Sequence, residues 1–180
     1  MLAMGYAIEL FYDEASEMAV HHIWDGLGTA LGQPSLSELG ARPHVSLAVY
    51  RDGLDTNGFP EKLLEYARSI DPFDFTLSSL GTFAGREGVV FLAPVVTRRL
   101  LEVHARFHEV FSKHENAGMG YYLPGNWVPH CTVAIDLSAT EVTAALAYGR
   151  EAFQPISGQF REIGLVEFHP VKERFTCALG

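Results

Sequence analysis

The segment PHVSLAV, residues Pro43–Val49, is followed later in the chain by PHCTVAI, residues Pro129–Ile135. Both segments begin with Pro-His, and both place a hydroxyl residue two positions after the histidine in an otherwise apolar run. Because residues two apart in a β-strand point to the same face, the histidine and the hydroxyl are neighbours on one side. Each segment therefore predicts a strand that presents an imidazole and a hydroxyl together.

The two segments lie at equivalent places in an internal repeat. FTLSSLGTF (Phe75–Phe83) follows the first segment, and FREIGLVEF (Phe160–Phe168) follows the second at nearly the same distance. A duplicated strand–helix–hairpin unit accounts for this pattern, with copies at about 43–96 and 129–179. We expect residues 1–180 to form a single α+β domain with two pseudo-symmetric lobes. Each lobe should have an antiparallel sheet with flanking helices, and an active-site cleft should lie between the lobes.

Hydrophobic periodicity predicts the remaining helices and strands, and Ala84–Gly88 suits the turn of a hairpin. The predicted helices are Glu14–Leu31 with Asp13 as N-cap, Pro60–Ile70, Thr97 to about His114, and one opened by the capping box Ser138-x-x-Glu141. The predicted strands are Gly5–Tyr12, Val45–Tyr50, Phe73–Phe83, Val89–Val96, Val128–Ile135, Ile156–Phe168 and Arg174–Leu179.

Two facing lobes would bring together four groups, namely the side chains of His44, Ser46, His130 and Thr132. One histidine can deprotonate an attacking water while the other protonates a departing oxygen, because the pKa of histidine lies near neutral pH. The hydroxyls can donate to phosphate oxygens where negative charge builds. A single histidine in an apolar strand is usually a core residue, but two matching motifs in a repeat indicate a site.

Composition excludes several classes of function. The formal net charge is −9 among 180 residues, so long nucleic acids are not expected partners. The two cysteines, Cys131 and Cys177, fit neither a disulfide framework nor a zinc motif. No apolar run reaches membrane length and no secretory signal opens the chain, so no membrane partner and a cytoplasmic location are expected.

Nearly the whole sequence resembles the two-histidine (2H) phosphoesterase superfamily, which includes bacterial 2′-5′ RNA ligase-like proteins and plant-type cyclic phosphodiesterases. Besides the two motifs, LSSLGTF and VVFLAPV resemble the hairpin that follows the first motif in plant-type members. The resemblance implies a bilobal fold, no metal and no cofactor. It also implies catalytic roles for His44 and His130, and phosphate binding by Ser46 and Thr132.

The same resemblance implies a small nucleotide substrate, either a 2′,3′-cyclic phosphate or an ADP-ribose 1″,2″-cyclic phosphate. Some relatives carry an aromatic residue facing the cleft on the first strand, where this chain has Glu9. A carboxylate there would repel phosphate but could bind a ribose hydroxyl. Tyr121, Tyr122 and Trp127, in the loop before the second motif, are candidates to stack on a base or to pack between the lobes.

His104 and His108 stand four apart on a predicted helix, which is a spacing that can hold a metal ion. No Glu-rich or Cys-rich context accompanies them, so we expect them to be solvated or to flank the apolar stripe, with no metal bound.

Three functions fit the sequence. The first is metal-independent hydrolysis of a small cyclic nucleotide phosphate by a two-histidine acid/base mechanism. The second is 2′-5′ RNA ligation or end processing, with an RNA end as partner. The third is a non-catalytic nucleotide-binding module on the same fold. Retention of both histidines and both hydroxyls favours catalysis, because binding alone does not require two titrating groups.

Overall fold

The computed structural model describes residues 5–51, 54–85, 87–168 and 170–180, apart from the side chains of residues 115 and 116. The helices are α1 Glu14–Leu31, α2 Phe59–Ala67, α3 Arg98–Val110 and α4 Ala139–Ala152, with 3₁₀ segments at Ser112–Ala117 and Gly120–Tyr122. The strands are β1 Gly5–Tyr12, β2 His44–Arg51, β3 Phe73–Thr82, β4 Val90–Pro94, β5 Cys131–Ala134, β6 Ile156–Phe168 and β7 Lys172–Ala178. The α+β class is confirmed.

The long strand β6 joins the strands into one seven-stranded antiparallel sheet in the order β2-β1-β6-β3-β4-β5, with β7 also paired to β6. The N-terminal part of β6 pairs with β3, and its C-terminal part pairs with β1 and β7. We call β2, β1, β7 and the C-terminal part of β6 the first half-sheet, and β5, β4, β3 and the N-terminal part of β6 the second half-sheet. The sheets of the two predicted lobes are therefore halves of one sheet.

Helices cover each half-sheet, and a helix can pack on the half-sheet opposite to the one that contains the strand before it. Helix α1 follows β1 but contacts α4 and β5 of the second half, while α4 also contacts β3 and β4. Helix α2 contacts β6 and β7, and the Tyr66 hydroxyl on α2 donates to Val103 O on α3. This packing ties the two halves together through their cores as well as through β6.

Local sequence explains how the helices begin and end. The side chain of Asp13 accepts from Ser16 N and caps α1, as predicted, and α1 ends at Gly32 in the left-handed conformation. The predicted capping box of Ser138 and Glu141 is present at α4. Helix α2 begins at Phe59, one residue before the predicted start and directly after Gly58 at positive φ. It ends at Ala67, before the predicted Ile70, because Ser69 N and Ile70 N donate to carbonyls three residues back and the chain turns. The predicted β3–β4 hairpin is confirmed, although Arg86 in its turn lies outside the described residues.

The motif strand pairs with its neighbour in the same hydrogen-bond pattern in each of the two half-sheets. Ile8 pairs with Ala48 and Glu9 with Ser46, so β2 has one extra residue between these pairs. Val90 pairs with Ala134 and Phe91 with Thr132, with the same single-residue bulge. Glu9 and Phe91 therefore occupy equivalent positions, each opposite a motif hydroxyl.

The element order β-α-β-α-β occurs twice, over residues 5–82 and 90–168. A repeat unit drawn from the structure begins one strand and one helix before each motif. The copies predicted at about 43–96 and 129–179 instead begin at the motifs and extend beyond the unit, into β4 and β7. Duplication of the unit stays a prediction.

Strand β5 and helix α3 also end or begin inside their predicted ranges. Strand β5 covers Cys131–Ala134 only, so His130 lies directly before the strand and not within it as predicted. Helix α3 ends at Val110 and a 3₁₀ segment replaces its last predicted turn. Among the described residues, no helix has the length and apolar character needed to cross a lipid bilayer.

Phe160 lies where the two half-sheets meet, since it pairs with Tyr12 of β1 and Phe73 of β3 and is fully buried. Phe160→Ala should lower the free energy of unfolding by about 3–5 kcal/mol, because it removes aromatic contacts and leaves a cavity. Urea unfolding followed by circular dichroism measures this. Met18→Ala, at a side chain that is 65% exposed, is the control and should change stability by less than about 0.5 kcal/mol. Equal losses in the two variants would contradict this placement of Phe160.

Candidate active site

Both motif histidines are held by the same local bond. His44 Nδ1 lies 2.6 Å from Arg42 O, and His130 Nδ1 lies 2.7 Å from Val128 O. Because a carbonyl oxygen only accepts, Nδ1 must carry the hydrogen in each ring. In the neutral form, Nε2 is then left with a free lone pair, and in the charged form it carries a second proton. Each ring thus has its other nitrogen available for proton transfer.

The hydroxyl residues of the motifs are held through their backbones by two tryptophans. Trp24 Nε1 on α1 donates to Thr132 O, and Trp127 Nε1 donates to Ser46 O, both at 3.0 Å. Each indole comes from an element outside its motif strand, so the strands are fixed from two directions. Residue patterns along the chain do not predict the bond of Trp24 to the second motif, because it joins residues 108 positions apart.

The two motif strands contact each other although they are the end strands of the sheet order. Burial lowers the pKa of His130, the bond to Val128 O raises it, and the charge of His44 lowers it further. Burial also lowers the pKa of His44, against a raising effect of its bond to Arg42 O. The two imidazoles therefore interact electrostatically, and both titrate below the ordinary histidine pKa of 6.5.

A cavity of about 490 Å³ opens beside His130 and Thr132. Its wall includes Tyr121, Tyr122 and Trp127 from the loop before β5, as well as the hairpin residues Phe83 and Glu87. His44 and Ser46 lie on the adjacent strand and are not among its lining residues. The predicted site residues of the second motif and the aromatic loop are thus brought to one cavity, with the first motif beside it.

The three aromatic candidates differ in their freedom to touch a ligand. Tyr121 is 77% exposed, whereas Tyr122 is half-buried and burial raises the pKa of its hydroxyl to about 12. The indole of Trp127 is stacked on the His104 ring at 3.9 Å between centroids, so one of its faces is already covered. Trp127 therefore packs between elements, and Tyr121 has the most accessible ring.

His104 and His108 are buried with the apolar residues of α3, so the predicted flanking role is confirmed and the solvated alternative is wrong. His104 Nε2 donates to Tyr122 O at 2.8 Å, and His108 Nε2 lies 3.2 Å from Leu47 O. Burial lowers the pKa of His104 to about 4, so the ring is neutral at pH 7 and supports the loop that carries Tyr122 and Trp127. No group of three or more possible metal ligands is found within the described part of the chain.

Glu9 and Phe91 give the two histidines different surroundings. The carboxyl of Glu9 lies 3.4 Å from His44 Nε2 and is almost fully buried. Burial and the charge of Glu173 raise the pKa of Glu9 to about 8, while the charge of Arg42 lowers it. His130 instead packs against the rings of Phe83 and Phe91, with centroids 4.9 and 5.4 Å away. Sequence reasoning missed Phe91, because its equivalence to Glu9 follows only from strand register.

The side chain of Cys131 does not face the candidate site. It lies between His130 and Thr132 in sequence, and its side chain is fully buried in the core behind the motif. Burial raises the pKa of its thiol to about 11, so the thiolate is scarce at neutral pH.

Comparison with known proteins identifies the class of this fold and site. The model of the 2′-5′ RNA ligase superfamily matches residues 13–171, and the chain belongs to this family of 2H phosphoesterases. Its activity is therefore the processing of phosphoesters. A comparison with curated proteins gave no match.

Solved structures share the fold over almost the whole chain. Escherichia coli LigT in its apo form has a TM-score of 0.62 at 17% identity, with 98% of each chain covered. LigT complexed with phosphate has a TM-score of 0.60 at 16% identity and the same coverage. The Thermus thermophilus protein TT0787 has a TM-score of 0.59 at 15% identity, with 97% of each chain covered.

The raised pKa of Glu9 has a consequence for stability. Since its folded pKa of about 8 exceeds the ordinary value of 4.5, the folded state binds this proton more tightly than the unfolded state. Stability is lost as pH rises from 4.5 towards 8. Glu9→Gln removes that loss, so its urea midpoint should exceed the wild-type midpoint at pH 8 and equal it at pH 4. Glu65→Gln, at an exposed side chain of α2, is the control and should give no comparable difference between the two pH values. A Glu9→Gln effect of equal size at both pH values would contradict the raised pKa.

Proposed function

We propose that the protein hydrolyses a small cyclic nucleotide phosphate, of the 2′,3′-cyclic or ADP-ribose 1″,2″-cyclic type, without a metal ion. The observation that carries the proposal is the matched anchoring of His44 and His130. Each ring donates from Nδ1 to the carbonyl two residues before it and keeps Nε2 for proton transfer. The contact between the two motif strands and the cavity beside them support a phosphate site at this position.

The proposed reaction needs one proton acceptor and one proton donor. A water molecule attacks phosphorus while His130 Nε2 takes its proton, and the bond from phosphorus to a ribose oxygen breaks. His44 Nε2 gives its proton to that ribose oxygen, and the product is a phosphomonoester with a free hydroxyl. The hydroxyls of Ser46 and Thr132 donate to the non-bridging oxygens as their charge increases. Exchange with water then restores the starting protonation of both rings.

The size of the cavity and the charge of the residues that line it favour a small substrate. The cavity of about 490 Å³ is in the range of small-molecule sites. Among the described residues that line it, only His130 can carry positive charge, whereas a long polyanion needs many cationic contacts. The net charge of −9 also disfavours binding of a long polyanion. LigT has also been crystallised with phosphate and with 3′-AMP, which are ligands of the proposed size.

The aromatic loop is the proposed base-binding region. The exposed ring of Tyr121 can stack on a base, with Tyr122 beside it on the same wall. Trp127 is proposed to shape the wall through its bond to Ser46 O, and Glu9 remains a candidate to bind a ribose hydroxyl. The family name keeps 2′-5′ RNA ligation or end processing as a second candidate.

Replacing either motif histidine tests the mechanism. His44→Ala and His130→Ala should each lower kcat by about 10²–10⁴-fold, since each removes one proton-transfer group, and should change KM far less. Turnover is measured by ³¹P NMR on 2′,3′-cyclic nucleotides, ADP-ribose 1″,2″-cyclic phosphate and a 2′-5′-linked dinucleotide, with EDTA present. His22→Ala, at an exposed histidine of α1, is the matched control and should have wild-type turnover.

The outcomes separate the candidate functions. Hydrolysis of cyclic phosphates in EDTA that is lost in both histidine variants supports the proposal. Joining or cleavage of the dinucleotide alone would favour the RNA-ligase hypothesis. Nucleotide binding without turnover at any pH from about 5 to 9, where histidine changes charge, would indicate a binding module. Wild-type turnover in either histidine variant would exclude that residue from the chemistry.

A further inference from the structure

The two halves of the site have the same backbone arrangement but different side chains at one position. Glu9 pairs with Ser46 and Phe91 pairs with Thr132, after the same bulge in each half-sheet. Residues directly opposite each other in an antiparallel pair lie on the same face. Glu9 and Phe91 are therefore equivalent neighbours of the two motifs, and the site is symmetric in backbone but not in charge.

The carboxyl of Glu9 lies near the Nε2 atom of only one of the two imidazoles. The carboxyl of Glu9 is 3.4 Å from Nε2 of His44, whereas none of the described carboxylates lies within ion-pair distance of His130. His130 is instead flanked by the rings of Phe83 and Phe91. Since both Nδ1 atoms are bonded in the same way, the surroundings of Nε2 are what distinguish the rings.

We infer that Glu9 is a positioning residue that shares one proton with His44, and that this pairing makes His44 the acid and His130 the base. The inference deepens the proposed function and rests on it for the roles of the two rings. The shared proton belongs to the pair. It lies either on the carboxyl beside a neutral imidazole or on Nε2 beside a carboxylate, and the pair is neutral in both forms.

The pair of Glu9 and His44 keeps one proton at neutral pH, where the proposed reaction needs a proton donor. The pKa of Glu9 is raised to about 8 and that of His44 is lowered below 6.5, so one proton remains between these values. A lone buried His44 would instead be deprotonated at neutral pH and could not act as an acid. When the ribose oxygen takes the proton, a carboxylate and a neutral imidazole remain, and water reprotonates the pair.

Other charged groups near Glu9 raise or lower the pKa of its carboxyl. The charge of Glu173 on β7 favours the protonated carboxyl, and Arg42 opposes it. Arg42 is itself paired with Glu17 and Glu162, so much of its charge is neutralised. Tyr122 and Cys131 also interact with Glu9, and both remain protonated because their pKa values are raised to about 12 and 11.

The contact geometry leaves Nε2 available to a substrate. A separation of 3.4 Å is slightly longer than the usual hydrogen-bond range of about 2.7–3.2 Å, so the contact between Glu9 and Nε2 is loose and shortens by a few tenths of an ångström when the proton passes. A ribose oxygen can therefore approach Nε2 while the carboxyl remains nearby.

The first test does not depend on activity. Long-range ¹H–¹⁵N NMR of histidine-labelled protein reports the protonation of each Nε2 as pH is varied. In the wild type, the Nε2 signal of His44 should move near pH 8, when Glu9 loses its proton, and this step should be absent from Glu9→Gln. His130 should show no such step in either protein. Phe91→Leu, at the equivalent position, is the matched control and should retain the step of His44. Identical His44 curves in wild type and Glu9→Gln would overturn the proton sharing.

The second test concerns the roles of the rings. The basic limb of the kcat/KM profile should lie near pH 8 in the wild type and move below pH 6.5 in Glu9→Gln, because a lone His44 must then supply the proton. At pH 7.5, kcat should fall by about tenfold or more with little change in KM. Phe91→Leu should leave the basic limb in place. An unmoved limb in Glu9→Gln would overturn the assignment of acid and base. Absence of turnover in the wild type would defeat the proposed function, while the NMR step would still decide whether the proton is shared.

Discussion

Strand β6 carries hydrogen bonds of both half-sheets, and the candidate site depends on this shared strand. Its N-terminal part pairs with β3 and its C-terminal part with β1 and β7, so one continuous strand belongs to both halves. The motif strands β2 and β5 are the two ends of the sheet order, yet they contact each other. The contact between these end strands brings two motifs that are distant in sequence to one place.

The site combines a symmetric framework with asymmetric chemistry. Equivalent carbonyls hold the two imidazoles, and equivalent bulges place Glu9 and Phe91 beside the two motifs. Such a framework alone would give two histidines with the same tendency to hold a proton. Acid/base catalysis instead needs two groups that differ in protonation at one pH. In the proposed mechanism, the carboxyl beside one ring and the two phenyl rings beside the other supply this difference.

Much of the fold follows from local sequence, because strand alternation and helix caps are local features. The His-x-Ser/Thr spacing predicts which side chains share a face, and Asp13 and Ser138 cap the helices that they were predicted to cap. The relations that define the site's electrostatics are not local. Contact between Glu9 and His44 depends on strand register and on a bulge, and the burial of His104 depends on an indole from another segment. Residue patterns along one chain contain little information on either.

A crystal structure of the protein with a nucleoside 2′-phosphate or 3′-phosphate, as candidate reaction products, is the most direct test of a single site built from both motifs. We expect one phosphate group within about 2.7–3.2 Å of Nε2 of both His44 and His130, with the hydroxyls of Ser46 and Thr132 also in contact. The nucleoside should extend into the cavity along Tyr121 and Tyr122. A phosphate held by one motif alone, or a nucleotide bound away from both, would contradict the account.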